Sequence, residues 1–170
     1  PAILGVLERA EPAEVTPVLR ALPDLLNVLS GGGGGGGNGD GGGPSSHAAV
    51  AVQLLPMLLQ LEGPLGGSAR WRASLELIGA YACLAGALEP QSLYSLCIPS
   101  LFGHLTAEAA APNRREAVRV ICLMLRKLRT QGQRSDVCAR LVRELAGADS
   151  YCLRVDFLHT CSLLLDPSPP

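Results

Sequence analysis

The 170-residue sequence predicts an all-α fold, organised as an α-solenoid of stacked antiparallel helix pairs. The chain is 48% hydrophobic but only 4% aromatic, and its many Leu and Ala residues favour helices over strands. Its apolar residues recur at three- and four-residue spacing, as on one face of a helix. Three segments also align when Trp71, Arg114 and Tyr151 are superimposed, at offsets of 43 and 37 residues. Such periods are typical of helical repeats.

The apolar pattern predicts helices over 14–29 and 47–61, then five more over 69–88, 91–105, 114–128, 135–146 and 151–165. A Gly/Pro-rich break is predicted at 63–67. The aligned apolar sets are Leu75, Val118 and Val155; Ile78, Ile121 and Leu158; and Ala85, Leu128 and Leu165. The apolar arc of 114–128 is too wide for one helix pair to bury, so stacking on a neighbouring pair is required.

Residues 31–46 contain seven consecutive glycines and three more after Asp40. Such a segment buries too little apolar surface to offset its chain entropy, so a disordered loop inside the array is predicted. We expect proteases to cut rapidly within 31–43 and slowly after residue 69. The glycines match a dinucleotide fingerprint only trivially, since no strand precedes them, and the single lysine, Lys127, is too distant for a phosphate-binding loop.

Composition excludes several classes of partner. A net charge of −1 provides no basic field for nucleic acid or an anionic membrane. The wholly apolar runs are far shorter than the roughly 20 residues that span a bilayer. Six scattered cysteines predict reduced, buried thiols in an intracellular protein. Because the chain runs from Pro1 to Pro170 without polar terminal repeats, residues 1–170 are predicted to be a fragment of a longer array.

Cys152, His159 and Cys161 are the candidate metal ligands. At 100° per residue, Cys161 lies across the helix from His159, and structural zinc requires four converging ligands. The sequence leaves a Cys/His catalytic pair open, but no motif joins a histidine to a cysteine. We therefore predict a non-enzymatic protein with no metal and no cofactor.

The predicted partner-binding site is a set of arginines along the first helices of the stacked pairs. Arginine recognises carboxylates and phosphates through a planar fork of donors, so an acidic partner is expected. The alternative is a solvated face with intrachain pairs to Glu76, Glu116 or Asp156. Trp71 and Tyr151 are predicted to pack between repeats. The predicted binding residues are Arg70, Arg72, Arg115, Arg119, Arg126 and Arg154.

Two local patterns resemble the HEAT-repeat family. Residues 113–119, Asn-Arg-Arg-Glu-Ala-Val-Arg, are similar to the Val-Arg signature at the start of a first helix. The segments at Pro23, Pro56 and Pro99, each a proline followed by a double apolar step, resemble its second-helix consensus. The resemblance covers 69–166 well and 12–62 loosely, and it implies one HEAT-like array interrupted by the glycine-rich loop.

The order of Trp71-Arg72, the Pro99 segment, residues 115–119 and residues 150–158 also resembles the HEAT-repeat regulatory subunits of serine/threonine protein phosphatases. This resemblance implies a non-catalytic cytoplasmic subunit that binds a serine/threonine phosphatase catalytic subunit. The alternatives are another HEAT-type adaptor, such as a transport or assembly factor, and a small helical enzyme.

Overall fold

A computed structural model describes residues 12–31, 46–65 and 70–165. Within these ranges the chain forms helices and turns but no strand, which confirms the all-α prediction. The predicted disordered loop at 31–46 lies outside the described residues, except for Gly31 and Ser46 at its two ends.

Seven helices, numbered here in chain order, make up the described part. They are α1 (Pro12–Gly31), α2 (Ser46–Leu65), α3 (Trp71–Leu84), α4 (the consecutive segments Pro90–Ser92, Leu93–Cys97 and Ile98–Phe102), α5 (Ala111–Leu125), α6 (the segments Gln131–Leu141 and Val142–Ala146) and α7 (Tyr151–Leu165). The middle segment of α4 and the last segment of α6 are π-helical. In α4 the widened turn directly precedes Pro99, whose ring has no N–H to donate to the helix.

The helices lie in two layers. In the first layer α1 packs against α3, α3 against α5 and α5 against α7. The second layer contains α2, which packs on α1 and α3, α4, which packs on α5, and α6, which packs on α7. Within that layer α4 contacts α6 at two places. The Tyr94 hydroxyl donates to Asp136 Oδ2 at 2.9 Å, and the Arg140 guanidinium lies 4.0 Å from the centre of the Phe102 ring. One apolar core runs between the layers.

Several helix boundaries differ from the sequence prediction. Helices α3, α4 and α5 end at Leu84, Phe102 and Leu125, three or four residues before the predicted ends at 88, 105 and 128. Three further differences have local reasons. Helix α5 begins three residues before the predicted start, because Pro112 fits the first turn, where its missing N–H would be unpaired anyway. Helix α6 begins four residues early because Thr130 Oγ1 accepts a capping hydrogen bond from Gln133 N at 3.3 Å. The predicted break at 63–67 is wrong at its start, since α2 continues to Leu65, which is fully buried.

In two of the three aligned sets, the residue in α7 is far more exposed than its two counterparts. Ile78 and Ile121 are fully buried, whereas the aligned Leu158 is 68% exposed. Tyr151 is 74% exposed, so its predicted place in the core is wrong, while Trp71 is half-buried. The physical reason is that α7 packs on α5 and α6 and no described helix lies beyond it.

Helix α2 is unusually apolar. Its residues Ala48–Leu65 have a mean hydropathy of 1.4, long and apolar enough to cross a membrane by length and composition alone. In this fold Leu54, Leu58 and Leu65 point into the shared core, and the helix packs on α1 and α3. Only 28% of the residues in Ala48–Leu65 are buried, however, and Val52 is 59% exposed, so core packing accounts for part of its apolar surface.

Candidate protein-binding surface

The six predicted binding arginines all belong to the first layer or its adjoining turns. Five of them are exposed and Arg119 is half-buried. Arg119 Nε and Nη2 donate to the two carboxylate oxygens of Glu116 at 2.9 and 2.6 Å. Arg115 Nε lies 3.9 Å from Asp156 Oδ1, with 64% of its side chain exposed. Arg119 and Arg115 therefore form the intrachain pairs with Glu116 and Asp156 that the alternative interpretation predicts. The third predicted acceptor, Glu76, pairs with Arg20 instead, at 2.6 Å.

The remaining four arginines have other intrachain contacts. Arg72 stacks over the Trp71 ring, 4.6 Å from its centre. Arg70 Nη1 donates to the Pro64 carbonyl at 2.6 Å, and Arg126 Nη2 donates to the Leu163 carbonyl at 2.8 Å. Arg154 Nη1 donates to the carbonyls of Ala148 and Asp149 at 2.8 and 2.7 Å. These four arginines contact groups of their own chain, but their side chains remain exposed on the surface. Binding of a partner by the six arginines therefore stays a prediction.

A pocket of about 440 Å³ opens where α2, α3, α4 and the start of α5 meet. At its centre, Glu62 Oε2 of α2 lies 2.8 Å from His104 Nε2, just after α4. Ser100 Oγ donates to Glu62 Oε1 at 2.6 Å, and Ser74 Oγ lies 3.4 Å from His104 Nδ1. The Tyr81 hydroxyl lies 3.4 Å from Ser100 Oγ and extends the network into the core.

The Glu62 side chain is ionised at neutral pH. Burial disfavours its charged form, but the contact with His104 and the hydrogen bond from Ser100 outweigh burial, so the pKa of Glu62 lies below its ordinary value. Burial, reinforced by the nearby Glu62 charge, raises the pKa of Tyr81, whose hydroxyl therefore stays protonated. The pocket thus holds a fixed negative charge beside neutral hydroxyl groups.

Asn113, in the first turn of α5, also lines the pocket. The residue is 4% exposed, and its Oδ1 is buried without a hydrogen-bond partner. Glu108 is exposed and adds a second carboxylate, and Trp71 forms an aromatic part of the wall. A buried acceptor without a partner is uncommon because it costs free energy. A hydrogen-bond donor that reaches Asn113 Oδ1 would therefore be stabilised there.

Sequence reasoning did not find this pocket. Glu62 and His104 are 42 residues apart and belong to different helix pairs, so no local motif contains both. The apolar spacing around Glu62 and around His104 predicts the helix near each residue. It carries no information about which polar side chains of different helices come into contact. The nearest signal was His104 itself, which the sequence analysis could connect to no cysteine.

The two buried cysteines, Cys97 and Cys122, do not have the character of nucleophiles. All six are free; Cys97 and Cys122 are buried and the other four are half-buried. Burial raises the pKa of Cys97 to about 12 and that of Cys122 to about 11. A reactive thiol requires a lowered pKa. Across the part of the chain that the structure describes, no three His, Cys, Asp or Glu side chains are grouped to hold a metal ion.

Comparison with known proteins gives two related matches. The chain is 27% identical over 149 residues to serine/threonine-protein phosphatase 4 regulatory subunit 4 of Mus musculus, and 28% identical over 145 residues to the protein of that name from Homo sapiens. The alignments cover 88% and 85% of this chain but only 16% of each relative. No family model matches, and no solved structure matches. The chain is thus distantly similar to one part of a phosphatase regulatory subunit.

Proposed function

We propose that this chain is a non-catalytic scaffold that binds the catalytic subunit of a serine/threonine phosphatase, with phosphatase 4 as the first candidate. The observation that carries the proposal is the similarity of 85–88% of the chain to regulatory subunit 4 of phosphatase 4. Regulatory subunits act by binding a partner, and a long helical surface is suited to that task. The proposed location is the cytoplasm.

A HEAT-like array is the architecture that we propose for this scaffold. Three contacts between neighbouring helices of a layer join residues that are 42 positions apart. They are Gln133 Nε2 to Gln91 Oε1, Tyr94 Oη to Asp136 Oδ2, and Arg114 Nε to Asp156 Oδ2. Equal separations in both layers support one repeated unit of two helices, as in stacked helical repeats.

The proposed mechanism is rigid presentation of a surface. The continuous core holds the helices in fixed relative positions, so exposed side chains of successive first-layer helices keep a constant spacing. Arg72, Arg115 and Arg154 are exposed on α3, α5 and α7. Such a row of cations steers an acidic partner and restricts its orientation, while a few buried contacts supply most of the affinity.

The test is recovery of partners by the tagged full chain from cultured cells, followed by mass spectrometry. We expect recovery of the phosphatase 4 catalytic subunit. Arg72→Glu combined with Arg154→Glu should reduce it about tenfold, because the charge of the row is reversed. Arg129→Glu combined with Arg143→Glu is the matched control, since it makes the same change in net charge at two exposed positions outside the predicted set.

Three results would count against the proposal. Recovery of transport or assembly factors without phosphatase would favour the adaptor alternative. Equal losses in both charge-reversal variants would remove the arginine row as the specific surface. A turnover activity that is lost on substitution of one cysteine or histidine in a folded protein would favour the enzyme alternative.

A further inference from the structure

We propose that the pocket around Glu62 receives an arginine side chain from a protein partner. The name Glu62 pocket is used below for the site formed by Glu62, Trp71, Ser74, His104, Glu108 and Asn113. The inference rests on the proposed role as a protein-binding scaffold, and it adds the chemistry of one partner residue. The partner would thus contribute a basic residue at this pocket and an acidic surface at the arginine row.

The charges of the Glu62 pocket favour a cation. Its described lining residues include two carboxylates, Glu62 and Glu108, and neither Lys nor Arg. A protonated His104 would still leave one net negative charge. Helices α2 and α4 end beside the pocket while α3 and α5 begin there, so the partial charges of their termini oppose one another. Two arginines lie at the edge of the pocket: Arg72 over the Trp71 ring, and Arg114, whose charge is paired with Asp156 and whose Nη1 donates to the Ala109 carbonyl. Among the lining side chains themselves, the carboxylates favour a cation.

The hydrogen-bonding groups favour a ligand rich in donors. Asn113 Oδ1 has no partner although the residue is 4% exposed. The two oxygens of Glu62 contact Ser100, His104 and the Tyr81 hydroxyl, and a carboxylate has about four acceptor positions, so one position is left for a further donor. The 2.8 Å approach of His104 Nε2 to Glu62 also lacks the angle of a hydrogen bond, so the carboxylate remains open to a better-aligned donor.

The shape of the pocket favours arginine. A guanidinium carries five N–H donors in one plane and pairs with a carboxylate through two parallel hydrogen bonds. The aromatic wall is Trp71. The Arg72 guanidinium, 4.6 Å from the ring centre, occupies one face of this indole, so a ligand guanidinium would contact the other face or the ring edge. A volume of about 440 Å³ admits the whole side chain together with ordered water.

The single tryptophan makes the proposal directly testable. Trp71 is the only tryptophan in the chain and lines the pocket, so its fluorescence reports on occupancy. The full chain is titrated with acetyl-Gly-Gly-Arg-Gly-Gly-amide and with the same peptide containing citrulline, the neutral isostere of arginine. We expect a saturable change with the arginine peptide and at least about tenfold weaker binding of the citrulline peptide.

Variants link the signal to the pocket. Glu62→Gln should weaken binding of the arginine peptide about tenfold and Asn113→Leu about threefold, since each removes an acceptor. Glu108→Gln, at an exposed position, should weaken it about twofold. Glu89→Gln is the matched control, because it removes the same charge from an exposed position outside the pocket. Circular dichroism establishes that each variant is folded, and Glu108→Gln and Asn113→Leu keep the test valid if Glu62→Gln does not fold.

Several results would overturn the proposal. They are equal affinity for the arginine and citrulline peptides, no saturable change up to about 10 mM peptide, preferential binding of a phosphorylated peptide, or undiminished binding by the folded pocket variants. No phosphatase is present in this experiment. Its failure is therefore distinguishable from failure of the proposed function, which is measured by recovery of the catalytic subunit from cells.

Discussion

Arg114 of α5 donates from Nε to Asp156 Oδ2 of α7 at 2.7 Å, and both residues are buried within the first layer. Arg114 Nη1 also donates to the carbonyl of Ala109, in the turn before α5. The pair therefore joins two neighbouring first-layer helices and fixes the loop that leads into one of them. A buried charge is tolerated only where its partner and remaining hydrogen bonds are present.

Removing one member of this pair should be strongly destabilising. Asp156→Leu leaves the Arg114 guanidinium buried without its carboxylate, so we expect the free energy of unfolding to fall by about 3–5 kcal/mol. Urea denaturation measures the change. In Arg114→Met combined with Asp156→Leu, both charges are absent, and most of that loss should be recovered.

Arg115→Ala is the control for the buried pair. Arg115 lies 3.9 Å from the other oxygen of Asp156 but is largely exposed, so its removal should cost less than about 1 kcal/mol. A loss for Arg115→Ala as large as that for Asp156→Leu would contradict the assignment of the stabilising contact to Arg114.

The three aligned apolar residues should differ in their contribution to stability. Ile78→Ala and Ile121→Ala remove fully buried side chains, and each should lower the free energy of unfolding by about 2–5 kcal/mol. Leu158→Ala changes a largely exposed side chain and should cost less than about 0.5 kcal/mol. Urea denaturation of the three variants provides the comparison, and equal losses would show that α7 is covered as fully as α3 and α5.

Thiol labelling should separate the cysteines by burial. Burial raises the pKa of Cys97 to about 12 and that of Cys122 to about 11, so both remain protonated at pH 8 and react slowly with iodoacetamide. Half-buried Cys138, Cys152 and Cys161 should react first. Peptide mass spectrometry over a time course gives the order. Early labelling of Cys97 in the folded protein would contradict its place in the core.

The Glu62 pocket should make stability depend on acid pH. The pKa of Glu62 in the folded chain lies below its ordinary value of 4.5. Its contribution to stability is therefore complete above about pH 4.5 and is lost as the pH falls through the lower folded value. Melting temperatures from pH 6 to about pH 3.5 should fall less steeply for Glu62→Gln than for the wild type. Parallel curves would show that Glu62 is not held as a carboxylate by His104 and Ser100.

Periodicity was sufficient to predict the helices because each one buries a stripe that its own segment encodes. The predicted start of α3 at residue 69 agrees to within two residues with the observed start at Trp71, and the predicted start of α7 at Tyr151 agrees with the observed one. The errors occurred where the ends depend on single residues, as with Pro112 in the first turn of α5 and Thr130 as the cap of α6. Capping depends on local geometry that apolar spacing does not describe.

The polar contacts were less predictable. The sequence offers Glu116 and Asp156 as partners of the predicted binding arginines. Asp156 contacts one of them, Arg115, but its buried partner is Arg114, which is not among the predicted binding residues. The Glu62–His104 pair joins two helix pairs and depends on their relative rotation. Hydrophobic periodicity determines which face of a helix is buried, but it does not determine which polar groups meet across the interface.

The most direct measurement is binding of the purified full chain to the purified catalytic subunit of phosphatase 4, by biolayer interferometry at physiological salt. We expect saturable binding with a Kd of about 1 µM or lower, weakened about tenfold by Arg72→Glu with Arg154→Glu and unchanged by Arg129→Glu with Arg143→Glu. Absence of binding at about 50 µM chain, with the protein folded, would contradict the proposal that this helical surface binds the phosphatase.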